Sequence, residues 1–103
     1  MLDEDPTLAS ISLALPFAAQ DGRVEAVKAL LKLKADPLAE RDDGVTALML
    51  GAKVGNVEII EALVAAGANV NAKTKTGMTA LNIAKARGKD EAVSALKKAG
   101  AKE

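Results

Sequence analysis

Residues 44–73 read GVTALMLGAKVGNVEIIEALVAAGANVNAK. Thr46 precedes a short apolar run, where its hydroxyl can accept from a free backbone N–H and start a helix. Gly55 stops that run, because glycine reaches a positive φ without a Cβ clash. A second run, Val57 to Ala66, carries Ile60, Leu63 and Val64 at helical spacing. Gly67 supplies the second stop. The stretch is turn, short helix, tight stop, longer helix, stop, loop.

The same unit recurs on both sides at an offset of 33 residues. Leu48, Gly55, Glu58, Leu63 and Gly67 align forward with Leu81, Gly88, Glu91, Leu96 and Gly100. They align backward less completely, through Leu15, Gly22, Glu25 and Leu30, with Ala35 opposite Ala68. Three units result, at 8–40, 41–73 and 74–103. The outer second helices are expected from Val24 to Leu33 and from Asp90 to Ala99, with apolar stripes Val27, Leu30, Leu31 and Val93, Leu96. Such helices are too short to stand alone. Stability must come from stacking in one dimension. Phe17 is the lone aromatic residue, and no alternating β-branched run appears. The fold class is therefore all-α, a solenoid of stacked helix-turn-helix units.

The segments GVTAL, GNVEIIEALVAAGANVNAK, GMTAL and RGKDEAVSALKKAGA resemble ankyrin repeats in length and at most fixed positions. The resemblance implies a hairpin-like loop and two antiparallel helices per unit, and a non-catalytic adaptor or inhibitor that binds a protein partner. It also implies where: loop tips and the ends of the first helices. Carried over by position, the loop residues are Arg41, Asp42, Asp43 and Val45, then Lys73, Lys75, Thr76 and Met78. The helix-end residues are Gln20, Asp21, Lys53, Val54, Ala86 and Arg87. Val45 and Met78 are the apolar members among charges, the pattern of an anchor.

Departures from the pattern generate further expectations. The first unit reads ISLALP, with Pro16 where the family has histidine. Asp5 and Pro6 make a good cap and first-turn pair, and Leu8, Ile11 and Leu15 follow at helical spacing. A long first helix from about Pro6, bent near Pro16, is expected. Lys34 replaces the second stop, where left-handed geometry costs a non-glycine residue roughly 1–2 kcal/mol. With Pro37 close behind, the loop there is expected to take another path. The third unit has Ala92 and Lys97 in place of Ile59 and Val64, as suits a C-terminal cap, and the irregular first unit would be the N-terminal cap of a complete small domain. The family histidine that ties neighbouring loops is absent from all three units. Asn82 can keep part of that role; Met49 cannot.

No constellation for chemistry emerges. The chain has no cysteine and no histidine, which removes thiolate chemistry, the commonest general base and the commonest metal ligand. Asp42 and Asp43 lack the other ligands of a calcium loop. Lys73, Lys75 and Gly77 lack phosphate-loop spacing. Gly51 and Gly55 form GxxxG without an apolar span, so Gly51 reads as a close helix contact. Glu25, Glu58 and Glu91 fall in first turns, where acids complement the helix dipole. An enzyme is not expected, nor a cofactor or a metal.

Formal net charge is zero, which gives no case for nucleic acid or an anionic membrane as partner. The halves differ: residues 1–52 hold nine acids and five bases, residues 53–103 five acids and nine bases. The start, MLDEDPTLAS, is acidic where a signal peptide is basic. A cytoplasmic monomer is expected. The competing reading is structural: a scaffold that self-associates head to tail through its opposed halves, or an engineered repeat protein without a cellular partner.

Overall fold

The computed structural model describes residues 6–102, with side chains from residue 11. Six α-helices and no strand occur among them: α1 (Pro6–Gln20), α2 (Val24–Lys32), α3 (Ala47–Val54), α4 (Val57–Ala65), α5 (Ala80–Ala86) and α6 (Asp90–Lys98). Each unit is a pair, α1–α2, α3–α4 and α5–α6, and each helix packs on its own partner and on the matching helix of the adjacent unit. The second helices end one residue earlier than their apolar pattern suggested.

The glycine stops explain the chain path. Gly22, Gly55 and Gly88 sit at φ 72°, 75° and 66°, turning each first helix into its second. Gly67 and Gly100, at φ 103° and 101°, end the second helices. In both cases paired backbone bonds close the end: Gly67 N–H donates to Val64 and Ala68 N–H to Leu63, and the same pair joins Gly100 to Lys97 and Ala101 to Leu96. This is the bond pattern of a left-handed helix stop.

The first unit corrects one expectation. Lys34 does not send the loop elsewhere. It takes φ 75° itself, and the same two bonds form, from Lys34 to Leu31 and from Ala35 to Leu30. The buried Ala35 and the stack behind it hold the turn against local strain. Lys34→Gly should therefore stabilise the protein by about 0.5–1 kcal/mol, the relieved strain less the added backbone freedom. A thermal melt should show a midpoint higher by about 3–6 °C. The long first helix begins at Pro6, as expected, and runs to Gln20 with Pro16 inside it. Pro16 is fully buried, as are Leu15 and Ala19, in a helix that packs on α3 of the second unit, and this burial offsets the one lost backbone bond. Ser12 Oγ accepts from Asp36 N–H at 2.8 Å and ties α1 to the loop after α2. The expected Asp5 cap and the side chain of Leu8 lie outside the described residues.

The middle unit is covered from both sides. Residues 47–52 of α3 are all buried, and Ile59, Ile60 and Leu63 of α4 are buried as well. Gly51 permits this: a Cβ there would stand 3.1 Å from Ile59 Cγ2. At the ends, cover is lost on one side. Phe17, in the register of Leu50, is 61% exposed where Leu50 is 4% exposed. On the opposite end, Asn82, Lys89 and Lys97 are exposed.

Candidate functional site

Two loops position the site. Residues 41–45 close on themselves through Arg41 N–H to Val45 C=O at 2.9 Å and Gly44 N–H to Arg41 C=O at 2.8 Å. Residues 74–78 repeat the pattern, Thr74 N–H to Met78 C=O at 2.8 Å and Gly77 N–H to Thr74 C=O at 2.9 Å. The two loops are joined by Lys75 N–H donating to Asp43 C=O at 3.2 Å.

Each loop is held to its helix by a threonine. Thr46 Oγ1 accepts from Met49 N–H and Thr79 Oγ1 from Asn82 N–H. The reciprocal bonds close a capping box in each unit. Asn82 Oδ1 accepts from Thr79 N–H at 3.0 Å. Met49 closes the box in the second unit, where its Sδ accepts from Thr46 N–H at 3.4 Å, and as expected it makes no tie to a neighbouring loop. The thioether is a weak acceptor, and its bond lies within one turn. The tie between loops is carried by the backbone instead.

A cleft of about 460 Å³ opens between these loops and the first helices. Seven of the fourteen expected positions line it: Gln20, Arg41, Val45, Lys53, Met78, Ala86 and Arg87. Met49, Leu50 and Ile83 complete the lining. These three read as ordinary core residues in the sequence. Their signal was positional, since Met49 and Leu50 lie one helical turn before Lys53, and Ile83 one turn before Ala86. Met49 is 1% exposed and Leu50 4%, so they form the floor, whereas Met78 at 37% stands on the rim.

The other expected residues lie elsewhere. Val54 lines a separate shallow cleft with Gly55, Glu58 and Glu91, at the turns between first and second helices. Lys73 lines a third, with Asn71 and Lys102. Asp21 lies 4.0 Å from Arg23. Asp42 is exposed at the first loop tip. Lys75 contributes its backbone to the loop tie, and Thr76 bonds with the Thr74 hydroxyl at 3.0 Å.

Asp43 organises the first loop. Its Oδ1 accepts from Val45 N–H at 3.1 Å and its Oδ2 from Arg41 Nη2 at 3.1 Å. The Val45 bond first, and Arg41 second among the favourable contacts, hold its carboxyl below the ordinary 3.8. A depressed folded value means the contribution to stability is present above the ordinary value and is lost as pH falls through the folded one. A carbon-detected NMR titration should place the Asp43 midpoint below 3.8. Arg41→Gln should raise that midpoint only part of the way back.

No group of three or more metal-ligating side chains occurs among the described residues. No helix among them is long and apolar enough to cross a membrane. The acids in the row Glu25, Glu58 and Glu91 sit in the first turns of α2, α4 and α6.

Three stacked helix pairs with looped tips and a cleft along the first helices define an ankyrin-type architecture. A family model described as ankyrin repeats, in three copies, matches residues 14–103, and the chain belongs to the ankyrin-repeat family. Ankyrin repeats are generally protein–protein interaction modules and typically non-catalytic. No curated protein matches the chain in sequence.

Proposed function

We propose that this chain is an adaptor or inhibitor that binds a protein segment in the cleft between its loop tips and its first helices. The observation that carries the reading is the cleft itself, where an apolar floor meets a charged rim built from helix ends and from loops tied to one another. Such preorganisation lowers the ordering cost of binding. Exposed apolar side chains amid charges are the usual anchors of such contacts. Within the same proposal the protein acts as a cytoplasmic monomer.

Met78→Asp tests it. Met78 stands on the rim, so the fold should survive and circular dichroism should not change. Affinity capture from source-cell extract should recover a protein with the wild type that is lost with the variant. Equal recovery by both would remove the cleft from the account. Sedimentation at low and high salt checks the monomer: a mass that doubles at low salt would favour head-to-tail association of the opposed halves instead.

A further inference from the structure

We propose that the cleft selects an acidic protein segment that presents one apolar side chain between carboxylates. This rests on the reading of the cleft as a binding surface and says what that surface recognises.

Charge is the first argument. Arg41, Lys53 and Arg87 line the cleft, and no aspartate or glutamate does. Arg41 is partly neutralised by Asp43 at 3.1 Å. Lys53 and Arg87 have no carboxylate partner among the described residues. Both stand at the C-terminal ends of first helices, Lys53 in the last turn of α3 and Arg87 as the cap of α5. The helix dipole accounts for a cation at each end and offsets part of its charge. It does not require the two to face one cleft with Arg41. A chain whose total charge is zero thus concentrates positive charge on one concave wall, and such a wall favours partners of the opposite sign.

The floor is the second argument. Met49, Leu50 and Ile83 are apolar, and the volume of about 460 Å³ falls at the small end of ligand clefts. It has room for an anchor of leucine or methionine size together with the residues that flank it. Methionine on the floor and on the rim adapts its shape to the anchor. A floor of this kind gives little to a purely ionic ligand, and no aromatic side chain lines the cleft to stack nucleic-acid bases. A peptide with both features satisfies wall and floor together.

The test uses a displayed library of random short peptides, panned on the immobilised wild-type chain and counter-selected on Lys53→Glu/Arg87→Glu. Fold is checked by circular dichroism, with Lys53→Gln/Arg87→Gln as a milder second variant. The expected peptides carry one leucine, methionine, isoleucine or phenylalanine flanked by at least a pair of acids. Their affinity should fall about tenfold or more with the charge reversal, less with the neutral pair, and should weaken as salt rises. Peptides that need the cleft (lost with Met78→Asp) but carry no acids would overturn this inference and leave the cleft reading standing. No peptide that depends on the cleft would overturn both. A fluorescent single-stranded RNA that binds with the same charge-reversal sensitivity, while peptides do not, would also overturn it.

Discussion

Leu63→Ala is expected to cost about 2–5 kcal/mol, from lost burial and the cavity left behind. That is much of the total stability of a domain this size, about 5–15 kcal/mol. Leu63 is 0% exposed, and α4 lies between α2 and α6. Neither neighbour can move in to fill the gap without leaving its own partner. Leu30 occupies the same register in the first unit but is only partly buried, so Leu30→Ala should cost clearly less. Urea unfolding of both variants measures the difference. Equal losses would mean that the middle unit is not the keystone of the stack.

Gly44→Ala should cost more than Gly77→Ala, although the two glycines have the same backbone strain to lose. Their φ values are 82° and 85°, so an alanine at either costs roughly 1–2 kcal/mol from left-handed geometry alone. A Cβ at Gly77 meets nothing within 4 Å. At Gly44 it would stand 3.2 Å from Lys75 N and from Thr74 Cα. Those are backbone atoms of the next loop, so the loops must part and the Lys75 to Asp43 bond must stretch. The extra cost at Gly44 is about 1 kcal/mol, the worth of one hydrogen bond and its contacts. Urea midpoints of the two variants test the ordering. Exchange of the Lys75 amide should quicken in Gly44→Ala and not in Gly77→Ala.

The parts legible in the sequence were those fixed by short-range chemistry. A positive φ needs glycine wherever nothing else holds the turn, so Gly22, Gly55, Gly67, Gly88 and Gly100 marked the helix ends correctly. The hydroxyls of Thr46 and Thr79 marked the starts. Where tertiary packing overrode local preference, residue-by-residue reading failed. Lys34 adopts the glycine conformation because its neighbours are already committed to the stack.

The cleft was half legible for a related reason. Its rim consists of loop and helix-end residues, and their positions follow from the 33-residue period. Its floor consists of Met49, Leu50 and Ile83, apolar residues at core spacing. Whether such a residue is sealed or opens to a cleft depends on how the first helices sit side by side. That arrangement is a property of the stack and no single unit encodes it. The same cause explains why Val54, one residue from Lys53, lines a different cleft: consecutive helical positions point about 100° apart.

The most direct measurement is an amide-shift titration of the isotopically labelled chain with the partner captured by the wild type. The account predicts the largest changes at Arg41, Leu50, Lys53, Met78, Ile83 and Arg87, with little change along α2, α4 and α6. Changes centred instead on Glu25, Glu58 and Glu91, at the starts of the second helices, would contradict it.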